Sequence, residues 1–246
     1  MRQPKPPADP RRAETRLSHL GLPDDLSPCC VIGIDPGATT GVAVLWCNGD
    51  GVANALLWSA KLGTEPDAEI VRHAAEGIAV VTRQFGGMIV WAAERMVAMR
   101  GATAQANSVF GCAATEGQLY QATDSLVGLD YRHLYPAAVW RKSVCAAARS
   151  RDEAHKRVER WAAGVWEWQR PKGADPKAEL VLPAIHELEA LGIAVHGLRE
   201  LRREAHVAAL PEQARLAITT PKKRSKAKRP KSLPEHLRDR VAQEAE

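Results

Sequence analysis

Long uncharged apolar runs, aromatic residues and cysteines are all scarce in this 246-residue sequence. No window approaches the roughly 18 apolar residues that a membrane-spanning helix needs. The first residues, MRQPKPPADPRRAETR, lack the apolar stretch of a signal peptide. We therefore expect a cytoplasmic protein with no membrane partner.

The cysteines form an odd set of five without C-x-x-C spacing, and most stand among small apolar neighbours: Cys29, Cys30, Cys47, Cys112 and Cys145. This pattern is typical of reduced core cysteines rather than of a zinc site or a disulfide framework. An apolar content of 45% in a chain of this length is enough for one sizeable core, so we expect one catalytic domain.

The net charge of +5 is concentrated at the C-terminal end. Residues 221–246 hold nine Lys or Arg against four Asp or Glu, whereas residues 29–220 are close to neutral. This indicates a disordered basic tail that either binds phosphate backbones or only keeps the protein in solution. Residues 1–28 carry six prolines among charges, and we expect them to form a disordered N-terminal arm.

Between the two arms, apolar runs and turn residues predict a mixed sheet with helices on its faces. Residues 170–195, rich in proline, interrupt the pattern and are interpreted as an insertion. The predicted strands lie at 30–35, 42–46, 53–62, 88–94 and 131–136, and the predicted helices run from Thr64 to about 85, over 104–122, after Pro136, from Ser150 to about 168 and over 198–210.

Two acids stand at the ends of buried strands. Asp35 ends CVIGID, and Glu94 ends MIVWAAE. An ionised carboxylate there needs a hydrogen bond, an ion pair or a metal ion to offset its desolvation. From these residues alone, Asp35 could also be an ordinary Asp-Pro-Gly turn residue, and Glu94 could be the first solvated residue beyond the sheet.

The string VIGIDPGATTGVAVL resembles the first hairpin of the RuvC-like Holliday-junction resolvases, which belong to the RNase H-like superfamily. The segment RMVAMRGATAQANSVFGCAATEG resembles the family's following loop and helix. The resemblance covers about residues 30–210 and is strongest at 31–45. It implies an α/β fold, an RNase H-like mixed sheet flanked by helices, in a nuclease domain over residues 29–220. The implied activity is that of an endonuclease that cleaves branched DNA as a homodimer.

The resemblance also implies a metal site. Asp35 and Glu94 match the family's first two essential acids, and Glu204-Ala205 is similar to the Asp-Ala of the family's last helix. We therefore expect Asp35, Glu94 and Glu204 to hold magnesium and to be catalytic. Carboxylates suit two Mg²⁺ ions about 4 Å apart, which Mn²⁺ can replace.

The match in the last helix departs from the family pattern at one position. The family's partner acid, three residues before the last one, would fall on Leu201. Glu200, four residues before Glu204 and on the same helix face, is the expected substitute ligand. His206 is a competing candidate, because imidazole can bind metal or transfer protons. All of these could also be ordinary surface charges.

Basic side chains should then neutralise phosphates. Lys156 in SRDEAHKRVERW resembles the lysine of the family's helix before the last acid, which implies a catalytic role. Any one of these cations could otherwise be a solvated surface charge. The side chains expected to bind nucleic acid are Arg95, Arg100, Arg141, Lys142, Lys222, Lys223 and Arg224.

Three other functions fit parts of the sequence. An RNA-processing nuclease of the YqgF type shares the first motif. A nucleic-acid-binding module that has lost catalysis is compatible with the apolar residue Leu201. A phosphotransferase of the actin and hexokinase type also uses Asp-x-Gly-x-Thr, but the chain has neither the length nor a second Asp-x-Gly for its duplicated domains.

Overall fold

The computed structural model describes residues 10–63, 67–85, 87–96, 103–146, 148, 150–170, 182–210 and 212. The chain divides into two compact units, Met1–Arg203 and Glu204–Glu246. The first unit contains the sheet, and the described part of the second is mainly the end of a helix. Among the described residues, no helix is both long and apolar enough to cross a membrane.

The described residues form one mixed sheet of seven strands in the order β6-β5-β2-β3-β4-β1-β7. Strands β2, β3 and β4 form an antiparallel meander, whereas β5 runs parallel to β2 and β6 runs parallel to β5. The strands are β1 (Arg11–Arg16), β2 (Cys29–Asp35), β3 (Thr39–Cys47), β4 (Val52–Lys61), β5 (Met88–Glu94), β6 (Tyr131–Tyr135) and β7 (Glu167–Trp168).

Two of the helices begin at side-chain caps. Asp67 accepts a hydrogen bond from the Glu69 amide at 2.6 Å, and Ser150 accepts one from the Glu153 amide at 3.2 Å. Thr64, the predicted start of the first helix, lies outside the described residues. The helices are α1 (Ala68–Thr82), α2 (Thr103–Val127), α3 (Ala137–Cys145), α4 (Arg151–Val165) and α5 (Ile185–Ala209).

Helices cover both faces of the sheet. Successive residues of the central strand β2 point to opposite faces. Val31 belongs to a core shared with Ala194 of α5, and Ile32 belongs to a second core shared with Ile78 of α1. This arrangement confirms the predicted α/β fold class, a mixed sheet flanked by helices.

Two glycines allow α5 to lie directly on the sheet. A Cβ added at Gly33 of β2 would overlap the backbone oxygen of Ala190, and one added at Gly41 of β3 would overlap that of His186. Because glycine has no side chain, the helix backbone contacts the strands at these points. The first turns of α5 are thereby held beside the end of β2.

The expectation that residues 1–28 form a disordered arm is wrong for the described residues 10–28. Strand β1 pairs with β4 and β7, and Ala13 and Thr15 are buried on one face of it. A short 3-10 helix, Leu17–Leu20, follows and buries both of its leucines. The alternation of buried and exposed residues in β1 is only six residues long and stands among prolines and charges. The composition of the segment therefore predicted disorder instead of a strand. Residues 1–9 lie outside the described part.

The boundaries predicted for the C-terminal part also change. Helix α5 begins at Ile185, so the second half of the expected insertion at 170–195 is helix, buried from Leu188 to Leu198. Residues 171–181 and the basic tail at 221–246 lie outside the described residues. The first unit ends at Arg203 rather than at residue 220.

Candidate metal centre

Asp35 is the last residue of β2 and is 8% exposed. Its Oδ2 lies 2.8 Å from Nδ1 of His186 at the start of α5. This hydrogen bond raises the pKa of His186, because the carboxylate stabilises the protonated ring. The loop after Asp35 is closed by Thr40, whose hydroxyl donates to the Gly37 carbonyl at 2.8 Å. Asp35 is therefore a fixed, nearly buried carboxylate rather than an exposed turn residue.

Glu94 is the last residue of β5, the strand next to β2. Because the two strands are parallel, their carboxyl ends meet at the same edge of the sheet. The Trp140 indole donates to Glu94 Oε2 at 2.9 Å. Burial raises the pKa of Glu94 to about 7, and the nearby charge of Asp35 adds to this effect. Glu94 is thus partly buried and close to the negative charges of Asp35 and Glu189.

Helix α5 supplies two further candidate ligands, His186 and Glu189. They are three residues apart, so they lie on neighbouring positions of one helix face. Glu189 is 2% exposed. Ligand atoms of Asp35, His186 and Glu189 all lie within 4.8 Å of one another. This group links the end of β2 to the first turns of α5.

Arg141 of α3 compensates part of the negative charge. One of its terminal nitrogens lies 2.6 Å from Glu189 Oε1 and 3.6 Å from Glu94 Oε2. His155 Nε2 of α4 lies 3.8 Å from the same Glu189 oxygen. Arg141, expected to bind nucleic acid, is therefore placed by the structure among the acids.

The three acids, His186 and Arg141 line a cavity of about 860 Å³. Its walls come from the loop after β2, from the end of β5 and from α2, α3, α4 and α5. Lys142 and Arg151 are exposed and also line it, so the rim carries positive charge. The acidic, basic and histidine residues that line it are Asp35, Glu94, His186, Glu189, Arg141, Lys142 and Arg151.

Among the described residues, Glu204 is not part of this group. Glu204 and the competing candidate His206 are both exposed and belong to the second unit. Glu200 is half-buried and pairs with Arg203 at 3.2 Å. It stands eleven residues after Glu189, which is about 16 Å along a helix. The prediction that Glu200 and Glu204 supply ligands from the last helix is therefore corrected. The ligand candidates beside Asp35 are His186 and Glu189, in the first turns of α5.

Of the basic residues predicted to be catalytic or to bind nucleic acid, some line the cavity, some do not, and some lie outside the described residues. Lys156 is exposed and does not line the cavity, whereas its neighbour His155 approaches Glu189. Lys142 lines the cavity. Arg95 is exposed directly after Glu94, and its backbone amide donates to the Tyr135 carbonyl. The candidates outside the described residues are Arg100, Lys222, Lys223 and Arg224.

A signal for His186 and Glu189 was present in the sequence. The run Glu189-Ala190-Leu191-Gly-Ile-Ala-Val has the acid-before-alanine pattern that was applied to Glu204. In the family, a partner ligand stands three residues before this acid. His186 has that spacing from Glu189, whereas the same spacing from Glu204 leads to the apolar residue Leu201. Because Pro183 stands just before the helix, this run was interpreted as part of the proline-rich insertion.

The donor set fits a divalent cation. Three carboxylates and one imidazole surround the same cavity, and oxygen donors are the ligands that Mg²⁺ and Mn²⁺ prefer. Burial is the main cause of the raised pKa of Glu94, and the nearby charges of Asp35 and Glu189 add to it. A bound cation would offset these negative charges.

No protein-family model matches the sequence, and no curated protein matches it at a significant level. Among solved structures, the chain is similar to T. thermophilus RuvC in complex with a Holliday junction substrate, with 20% sequence identity and a TM-score of 0.43. The similarity covers 71% of this chain and 96% of that chain.

Proposed function

We propose that this chain is a metal-dependent endonuclease that hydrolyses phosphodiester bonds in branched DNA such as Holliday junctions. The observation that carries the proposal is the convergence of acidic side chains and one histidine in an open cavity with a basic rim. Acids inside and cations outside are the charges that a metal-dependent reaction on a phosphate requires. The sequence resemblance at residues 31–45 supports the same reading.

In this proposal Asp35, His186, Glu189 and Glu94 hold one or two Mg²⁺ or Mn²⁺ ions. When bound, such ions neutralise the phosphate and make a water molecule a better nucleophile. Arg141 holds Glu94 and Glu189 in position through its two contacts, and Trp140 fixes the orientation of Glu94. The ligands come from different secondary-structure elements of the first unit, so the folded core sets their geometry.

The exposed cations at the rim are assigned to the DNA backbone. Lys142 follows Arg141 on α3, and Arg151 opens α4 on another wall of the cavity. A strand that enters the cavity passes between these side chains, which contact its phosphates. We propose the same contact with DNA phosphates for five further residues: Arg95, Arg100, Lys222, Lys223 and Arg224. A homodimer with two such cavities would cut two strands of a junction.

The decisive experiment is a cleavage panel with and without Mg²⁺ or Mn²⁺. The substrates are a four-way junction, a flap, a linear DNA duplex and a structured RNA. We expect junction cleavage that needs the cation, and its loss in Asp35→Asn with junction binding retained. Asp25→Asn is the matched control, because Asp25 is exposed and does not line the cavity.

Each of the other outcomes points to a different function. Preferential cleavage of RNA would replace the proposal with an RNA-processing nuclease of the YqgF type. Junction binding without cleavage under any cation would indicate a catalytically inactive binding module. Equal activity of Asp35→Asn and Asp25→Asn would show that the proposed metal centre does not carry the reaction.

A further inference from the structure

Cys29 and Cys47 form a close pair of thiols away from the metal centre. Cys29 is the first residue of β2, Cys47 is the last residue of β3, and the two are direct partners in the antiparallel ladder. Their sulfurs are 3.4 Å apart. Facing residues of such a ladder have Cα atoms about 4.5 to 5.5 Å apart, within the range of roughly 4.4 to 6.8 Å that a disulfide spans. The backbone is therefore already placed for a bridge.

The two thiols share a hydrogen bond in which either sulfur can be the donor. Donation from Cys29 stabilises a thiolate on Cys47, which lowers the pKa of Cys47 to about 7 and raises the pKa of Cys29. The thiolate is the nucleophilic form of cysteine, and this shared proton makes it available within the pair.

The pair lies at one end of the sheet, next to exposed chain. Both cysteines are buried, so an oxidant reaches them when these strand ends open locally. The flanking residues Ser27, Pro28, Asn48 and Gly49 are all exposed. Asp35 pairs with Gly41 at the other end of the same two strands, so the metal centre is separate from the thiols.

We propose that Cys29 and Cys47 are a site of reversible oxidation, at which a peroxide converts the two thiols into a disulfide. The sulfur of Cys47 attacks one peroxide oxygen, the O–O bond breaks, and a sulfenic acid forms with release of water or an alcohol. The sulfur of Cys29 then attacks that sulfur, the S–O bond breaks, and a second water leaves. Two thiols are oxidised and one peroxide is reduced. This inference does not depend on the proposed function.

The test treats the full-length protein with hydrogen peroxide, blocks free thiols with iodoacetamide and measures the intact mass. We expect two fewer alkylated cysteines, the loss of two hydrogen atoms and a cross-linked peptide pair containing Cys29 and Cys47. Dithiothreitol should reverse all three changes. The oxidised form should melt roughly 5 to 10 °C higher than the reduced form, because the bridge restricts the unfolded chain.

The neighbouring residue Cys30 provides a matched control. It points to the opposite face of the sheet and belongs to the other core. Cys29→Ser and Cys47→Ser should abolish the cross-link, whereas Cys30→Ser should keep it. Peptide mapping of the wild-type protein keeps the test valid if a serine variant folds poorly. Over-oxidation of Cys47 without a cross-link, or a bridge that involves Cys30, would overturn the inference.

Discussion

Replacement of Glu189 by glutamine removes one charge from the proposed metal centre and keeps the size of the side chain. Glu189 is 2% exposed, and its ligand oxygen lies within 4.8 Å of those of Asp35 and His186. Two unit charges about 4 Å apart interact by about 4 kcal/mol at an effective dielectric constant near 20. A divalent ion in contact with the carboxylate is attracted at least this strongly, so loss of the charge should weaken cation binding by roughly a thousandfold or more.

The assay is single-turnover cleavage of a four-way junction over a range of Mg²⁺ and Mn²⁺ concentrations. Glu189→Gln should need much more cation and remain slower at saturation, because Arg141 also loses its closest carboxylate partner. Glu204→Gln should cleave within about twofold of the wild-type rate, since the exposed side chain is not part of the group around Asp35.

Glu187→Gln is the control on the same helix. Glu187 accepts a hydrogen bond from Ser59 at 2.7 Å and does not line the cavity, so its loss should leave the cation requirement unchanged. If Glu204→Gln is inactive while Glu189→Gln cleaves normally, the ligands lie at the other end of α5. The assignment of Glu189 would then be refuted.

Three further predictions test other parts of the structure. His186→Asp replaces an imidazole with a carboxylate, so binding of Mn²⁺, measured by electron paramagnetic resonance, should weaken relative to binding of Mg²⁺; an unchanged ratio would remove His186 from the ligand set. Gly41→Ala places a Cβ on the backbone of α5 and should lower the free energy of unfolding by about 1 to 3 kcal/mol, whereas Gly117→Ala, where a Cβ meets open space, should not lower it. Burial lowers the pKa of His196, so the unfolded chain takes up a proton as the pH falls below about 6.5 while the folded chain does not, and stability should drop there. His196→Gln should flatten this acid limb in urea unfolding curves, and His73→Gln, an exposed control, should not.

The central strands could be predicted from the sequence because their patterns are strong and local. The strand MIVWAAE was predicted at 88–94, and β5 is Met88–Glu94. Its apolar run ends in an acid. The structure brings Asp35 and Glu94 to one cavity because the parallel pairing of β2 and β5 aligns their ends.

The partners of these acids could not be read from local pattern alone. His186 and Glu189 stand more than 90 residues after Glu94, behind a proline-rich segment that resembles a loop. The packing of α5 on the sheet, which includes its contact with Gly33 and Gly41, determines which turn of the helix adjoins Asp35. Two helical stretches with an acid before alanine were available, and the later one was favoured because Glu204-Ala205 is similar to the Asp-Ala of the family's last helix.

The absence of side chains at Gly33 and Gly41 has a consequence for how the protein tolerates change. Backbone atoms of α5 touch the strands at these two points, so the height of the helix above the sheet does not depend on the size of any side chain between them. Substitutions elsewhere in the core can alter volume while the first turns of α5 keep their distance from Asp35. In a library of random variants, replacements at these two glycines should be depleted even where larger residues are accepted at neighbouring core positions.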